Sequence, residues 1–185
     1  GKAGPVASLE DLNDQILDLR TQGVLKETQT EIFQSLLDFG DTIAREVMVP
    51  RVDMVCTKLG TPVEEVLSLM HEFGFSRLPV YRETIDDIVG FVYVKDLIVA
   101  LDDLDRPLSS EDIREVVVVP GTRKVGEILR DFQASNRALA LVLDEYGGTD
   151  GLLTVEDILE ELVGEINDEY DQEVAEVERL DDGTV

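Results

Sequence analysis

The sequence predicts an α+β (α/β) fold of two tandem β-α-β-β-α repeats, preceded by a small acidic helical bundle. Three observations predict it. The chain repeats itself at a spacing of about 62 residues. Each copy alternates helical apolar periodicity with short apolar runs. Residues 8–47 carry helical periodicity and no strand-like run.

The repeat is seen by placing "PVEEVLSLMHEFGFSRLPVYRETIDDIVGFVYVKDLI" (62–98) above "KVGEILRDFQASNRALALVLDEYGGTDGLLTVEDIL" (124–159). Val63, Val66, Leu67 and Met70 fall on Val125, Ile128, Leu129 and Phe132, an offset of 62. Gly90 then falls on Gly151 and Asp96 on Asp157, an offset of 61. The lost residue lies in the turn-rich "RETIDD" and "DEYGGTD", where a hairpin loop absorbs it.

In chain order, Leu9, Leu12, Ile16 and Leu19 form one helical stripe, and Ile32, Leu36, Leu37 and Phe39 another. Gly23 and Gly40 are the expected breaks. "MVCTKL" (54–59) predicts a strand leading into the first repeat. Thr61-Pro62-Val63-Glu64 predicts an N-cap, a proline at the first helical position and a capping box. The strands "RLPVY" (77–81) and "IVGFVYV" (88–94) follow, then the helix "KDLIVAL" (95–101). The second copy reads "VVVVP" (116–120), a helix without that box, "LALVL" (139–143), "GLLTV" (151–155) and the helix "EDILEELVGEI" (156–166). Neither copy buries its sheet alone, so the two are expected to pack sheet to sheet. Residues 167–185 lack apolar periodicity and read as a solvated acidic tail.

Composition narrows the function. Sixteen basic residues against 41 acidic ones give a formal charge of −25. Nucleic-acid surfaces need a basic patch, so that class is excluded. Self-repulsion is expected, relieved by salt or divalent cations. Cys56 is the one cysteine and His71 the one histidine, so no zinc cluster is available and a reducing compartment is expected. No run of about 18 apolar residues is present. There is no phosphate-binding Walker loop and no nucleophile–base pairing, so the reading is not an enzyme. Gly1 to Pro5 receive no structural weight.

Thr154-Val155-Glu156-Asp157 has two readings. It is a capping box, hydroxyl to the helix backbone and carboxylate back to the cap. Or it is a nucleotide contact, the hydroxyl and helix N–H groups meeting a phosphate or ribose oxygen. In the first copy the aligned residues are Tyr93-Val94-Lys95-Asp96, which do not cap the same way.

A paired repeat with "SRLPV" in one half and "GLLTVED" in the other resembles the cystathionine-β-synthase (CBS) domain pair, the Bateman module, over about residues 48–166. "GDTIAREVMVPRVDM" (40–54), "SRLPVYRETIDDIVGFVYVKDL" and "GGTDGLLTVEDILEELVGEINDEYD" resemble the CorC/CNNM family of magnesium transporters. The resemblance implies an acidic helical bundle (8–47), a first CBS domain (48–106), a second (107–166), and a tail (167–185) in which "VERLDDGTV" is similar to the first strand of a further domain. It implies a region on the cytoplasmic face of a membrane protein, coupled to its own transmembrane domain and dimerising through its CBS pairs.

It also implies a site. Gly151, Thr154 and Asp157 match the glycine, Ser/Thr and aspartate of nucleotide-binding CBS domains, with Asp157 accepting from both ribose hydroxyls. Carried over, the adenine wall is Pro50, Val55, Phe75, Ser76 and Pro79, closed by Leu152. Arg77 and Arg51 fall at the phosphate end, where arginine gives forked bonds. Asp96 stands beside Tyr93 rather than threonine, so one good site and one degenerate site are expected. Mg²⁺ is expected through the phosphates and water, not through an all-protein cage. The expected function is a regulatory sensor that binds ATP and Mg²⁺ without hydrolysis. The alternatives are a module sensing AMP or ADP and a ligand-free dimerisation scaffold.

Overall fold

The structure, a computed structural model, describes residues 8–99 and 103–164. Two helices open the described chain, α1 (Leu9–Thr21) and α2 (Glu27–Phe39). Ser8 caps α1, its side chain accepting from the Asp11 N–H at 3.1 Å. Gly23 turns the chain between them with φ +72°, a conformation that suits glycine. The two stripes are only partly covered: Ile16 is buried, but Leu9 and Leu36 remain more than half exposed. Helix α2 packs on the last helix of the second repeat.

A short helix α3 (Ala44–Val47) and strand β1 (Val49–Pro50) lead into the first repeat. That repeat comprises β2 (Thr57–Lys58), α4 (Val63–Phe73), β3 (Arg77–Tyr81), β4 (Ile88–Tyr93) and α5 (Val94–Ile98). The second comprises β5 (Val117–Pro120), α6 (Val125–Ser135), β6 (Leu139–Leu143), β7 (Thr149–Thr154) and α7 (Val155–Val163). The β-α-β-β-α order is as the sequence predicts. Strand β2 runs parallel to β3 and β5 parallel to β6, with a helix as the crossover, while β3–β4 and β6–β7 are antiparallel hairpins. Residues 100 and 101 of the expected first-repeat helix, residues 165 and 166 of the last helix, and the tail lie outside the described residues.

The repeats exchange their entering segments. Strand β1, which precedes the first repeat, pairs with β7 and makes the second repeat's sheet four-stranded, in the order β1-β7-β6-β5. The segment before the second repeat returns the exchange, with Arg114 bridging Phe91 of β4. Ala44 of α3 is buried in the second core, against Val125, Ile128 and Leu153. Leu108 of the inter-repeat linker is buried in the first, against Val63, Val66 and Leu78. Burial of such a leucine contributes about 1.5–3 kcal/mol, so each repeat depends on a segment supplied from before the other.

The exchange also corrects one expectation. Helix α4 has no capping box: Pro62 is its N-cap, without a side-chain hydrogen bond. Its free N–H groups are met instead by the linker, Val63 N–H donating to the Arg106 carbonyl and Glu64 N–H to that of Leu104, both at 3.0 Å. Helix α6 is treated alike, Val125 N–H donating to the Thr42 carbonyl at 3.0 Å. Backbone carbonyls brought by the crossing segments replace side-chain caps.

The repeated glycines have the same cause. A Cβ on Gly151 would meet the Val49 carbonyl at 2.5 Å and the Met48 sulfur at 2.6 Å. A Cβ on Gly90 would meet the Arg114 carbonyl and, at 2.5 Å, the Ile113 side chain. Each glycine sits where a crossing segment lies against the strand.

Candidate functional site

Where β7 becomes α7, the chain turns from extended to helical at Thr154, and the capping box is present in full. The Thr154 hydroxyl accepts from the Asp157 N–H at 3.1 Å and donates to Asp157 Oδ2 at 2.6 Å. The Thr154 N–H donates to the same Oδ2 at 2.7 Å. One carboxylate oxygen of Asp157 is thereby used, while Oδ1 has no hydrogen bond among the described residues. Cap and contact are compatible readings of the same four residues.

Both side chains line a cavity of about 300 Å³ between the repeats. One wall comes from the first repeat. Gly74 ends α4 in the left-handed conformation, φ +70°, and that turn delivers Phe75, Ser76 and Arg77 to the cavity, followed by Pro79. Phe75 is stacked on Phe73, with centroids 5.8 Å apart and planes at 15°. Val49, Asp53, Met54 and Val55 close a second side. The second repeat supplies Leu139, Leu152, Thr154, Glu156 and Asp157. The walls are largely apolar. The charged lining comprises three carboxylates (Asp53, Glu156, Asp157) against one guanidinium, Arg77.

Of the residues singled out in sequence, Val55, Phe75, Ser76, Arg77, Pro79, Leu152, Thr154 and Asp157 are brought together around this cavity. Pro50 and Arg51 are not. Pro50 is exposed and pairs across to Gly151 as part of β1. Arg51 is committed elsewhere: both its terminal nitrogens bond the Asp86 carboxylate, and Nη1 also donates to the Thr149 carbonyl at 3.2 Å. Arg51 and the Thr149 N–H hold the Asp86 carboxyl below the usual carboxylate range. Arg51 thus ties the first repeat's hairpin turn to the start of β7. Asp53, Met54, Leu139 and Glu156 were not singled out. Glu156 lay inside the motif, but nothing in its spacing distinguished it from a solvated acid.

The repeat-related position is furnished differently. Tyr93 stands in the place of Thr154, and the ring is flanked by the Arg77 and Arg114 guanidiniums, each 5.4 Å from its centroid, and by Lys95 at 5.7 Å. Asp96, in the place of Asp157, is bonded at both oxygens by Arg114, at 2.6 and 2.7 Å. A second, more polar cavity of about 680 Å³ lies here, lined by Tyr93, Arg114 and Arg137 among others. Arg77 and Leu139, which are repeat mates, line both cavities.

Among the described residues, no group of three or more histidine, cysteine, aspartate or glutamate side chains is placed to hold a metal ion. Cys56 is partly buried, which pushes its thiol up to about 11 and leaves it a poor nucleophile. No described helix is long and apolar enough to cross a membrane.

The CBS domain model matches residues 44–103 and 111–164. A UPF0053 protein of Mycobacterium tuberculosis is 40% identical over 185 residues, covering 97% of this chain and 42% of the relative. The magnesium and cobalt efflux protein CorC of Escherichia coli is 34% identical over 171 residues, covering 92% of this chain and 59% of CorC. The chain therefore spans only part of the length of these curated relatives. Among solved structures, the CBS domain of the bacterial CNNM/CorC family Mg²⁺ transporter is similar at 36% identity and TM-score 0.77, covering 88% of this chain and 100% of that one. A structure of the CBS domain of the bacterial CNNM/CorC family Mg²⁺ transporter in complex with ATP is similar at 39% identity and TM-score 0.69, covering 74% and 97%.

Proposed function

The chain belongs to the CBS domain family, as a CBS-pair region of the CNNM/CorC type, and from that premise we propose that it is a regulatory module whose first cavity binds ATP together with Mg²⁺ and does not hydrolyse it. The observation that carries the reading is the composite cavity. An apolar wall from the first repeat faces a carboxylate from the second whose Oδ1 is free to accept. Phe75, Pro79, Val55 and Leu152 suit a base. Asp157 suits the ribose hydroxyls, and Arg77 is the cation for phosphate. The ATP complex of a similar CBS domain supports the same assignment.

Charge makes the cation part of the ligand. Three carboxylates against one arginine repel bare polyphosphate, in a protein of net charge −25. Mg²⁺ brought by the phosphates removes that repulsion, and its oxygen preference fits phosphate, water and a carboxylate at the rim. The proposal contains no hydrolytic step: nucleotide is held and released.

Coupling runs through α7. Its N-terminus carries Thr154 and Asp157, and its flank packs against α2 of the acidic bundle. A ligand that differs in affinity between two settings of α7 shifts the bundle, and through it a membrane domain beyond this region. Closure of two CBS pairs into a dimer on the cytoplasmic face of a membrane is part of the same proposal. Calorimetric titration with ATP, ADP and AMP, each with and without Mg²⁺, tests it. ATP should bind tightest, and only with Mg²⁺. Preference for AMP in the absence of Mg²⁺ moves the assignment to an adenosine-monophosphate sensor, and no binding by any of the three leaves a scaffold.

A further inference from the structure

The second cavity concentrates positive charge in a protein that has little. Only sixteen basic residues stand against 41 acidic ones, yet Arg77, Arg114 and Arg137 converge on one cavity whose lining carries a single carboxylate, Glu115. The convergence is built by the fold. Asn136 ends α6 in the left-handed conformation, φ +53°, and the turn delivers Arg137, as Gly74 delivers Phe75 on the other side. Register places Arg77 opposite Tyr93 across the β3–β4 hairpin. The crossing segment brings Arg114 beside Phe91.

These guanidiniums keep donors to spare. The one carboxylate near Arg77 among the described residues is Glu156, 3.6 Å away, beyond hydrogen-bond range. Arg137 Nη1 donates to the Glu115 carbonyl at 2.7 Å, but its Nη2 is 3.6 Å from the Glu115 carboxylate, which is 90% exposed. Arg114 uses Nε and Nη2 on Asp96 and leaves Nη1 without a partner among the described residues. The Tyr93 ring offsets part of the repulsion among the cations. With both Asp96 oxygens bonded by Arg114, the acceptor that Asp157 offers a ribose in the first cavity is not offered here. What remains is a set of planar forks with unused donors, the arrangement that oxyanions fill.

We infer that the second cavity binds a small phosphate-class oxyanion, free or as the phosphate group of a larger molecule, held by Arg137 and Arg77 with Arg114 completing the ring of donors. It carries no nucleoside. Arg77 borders both cavities, so an oxyanion here and a phosphate in the first cavity compete for its donors.

The test is titration of this chain with inorganic phosphate and, separately, with glycerol 3-phosphate, followed by ³¹P NMR and calorimetry at ionic strength held constant with chloride. Saturable binding is expected, weakened about tenfold or more in Arg137→Gln and in Arg114→Gln and retained in Thr154→Ile, whose side chain lines the first cavity and not the second. Tighter binding of the monoester identifies an organic phosphate as the ligand; tighter binding of inorganic phosphate identifies the free ion. Two variants guard against one failing to fold, and the melting temperature of each reports on that. Absence of saturable binding by both probes overturns the assignment. So does binding that survives both arginine substitutions, or that is lost in Thr154→Ile while the arginine variants keep it.

Discussion

Arg114 grips Asp96 at two points, Nε to Oδ2 at 2.6 Å and Nη2 to Oδ1 at 2.7 Å, whereas Asp157, the repeat mate of Asp96, keeps one oxygen without a hydrogen bond among the described residues. Two aspartates at equivalent positions of a duplicated fold therefore have different chemistry to offer. The difference comes from Arg114, supplied by the segment that crosses from one repeat to the other.

That asymmetry gives the first prediction. Asp157→Ala should weaken Mg-ATP binding by about 1.5–3 kcal/mol, the range of a charge-assisted hydrogen bond. Asp96→Ala should change it little. Asp157 also caps α7, so the alanine variant should lose stability as well. Asp157→Asn, which keeps an acceptor oxygen, separates the two losses. Calorimetry on the three variants decides, and equal losses from Asp157→Ala and Asp96→Ala would refute the one-site assignment.

A second prediction concerns the crossing segments. Gly151→Ala places a methyl group 2.5 Å from the Val49 carbonyl, and Gly90→Ala places one against Ile113 and the Arg114 carbonyl. Overpacking of this kind costs about 1–3 kcal/mol, or a fall in Tm of roughly 2–4 °C per kcal/mol in a chain of this size. Gly90 also has φ +153°, which adds strain for any other residue. Gly90→Ala should therefore be the worse of the two by thermal melting. A surface glycine with open space around it, Gly147, cannot serve as an alanine control, because its φ of +84° carries its own penalty; Gly126, whose nearest neighbour would be Phe39 at 3.5 Å, is the suitable one.

The sequence revealed local features and missed the exchange. "RLPVY" and "LALVL" predicted β3 and β6 to the residue because a buried strand in a duplicated unit writes its pattern twice. Tertiary partners were less legible. Thr61 to Glu64 looked like a capping box, yet the donors of α4 are met by carbonyls some 40 residues away, at Arg106 and Leu104. Strand β7 begins at Thr149, two residues earlier than its apolar run, because Thr149 is anchored by the turn of the other repeat through the Ile85 carbonyl and Asp86. Eight of the ten site residues gather at one cavity because Gly74 and the β7–α7 junction are local features that the repeat made visible. Arg51 departs because its neighbour Asp86 is 35 residues away, and nothing in "MVPR" signals that pairing.

The linker supplies a pH-dependent lock. Asp112 bonds both terminal nitrogens of Arg106, at 2.7 and 2.8 Å, and accepts from the Ser109 N–H and hydroxyl. The Arg106 bonds, helped by Ser109, lower its carboxyl to about 2. Its folded value lies below the unfolded one, near 3.9. The stabilisation is therefore complete above about pH 4 and lost as pH falls through about 2. Urea midpoints between pH 5 and pH 2 should fall more steeply for the native chain than for Asp112→Asn. Parallel profiles would show that the pair contributes nothing to acid stability.

The last prediction concerns Thr154, which is both cap and cavity wall. Its hydroxyl accepts the Asp157 N–H and donates to Asp157 Oδ2, so it fixes the carboxylate that is assigned to ribose. Thr154→Ser keeps that hydroxyl and should keep most of both functions. Thr154→Ile removes it and adds bulk beside Leu139, its partner across the β6–β7 hairpin. Loss of the cap should cost about 1 kcal/mol, a few degrees in Tm. The loss of ATP affinity should be larger than the stability loss, because Asp157 is released from its rotamer and the new methyl groups enter the cavity. Melting temperature without ligand and ATP affinity, measured on both variants, separate the roles. A Thr154→Ile protein that melts far below the native chain yet binds ATP normally would make Thr154 a cap alone and would remove it from the site.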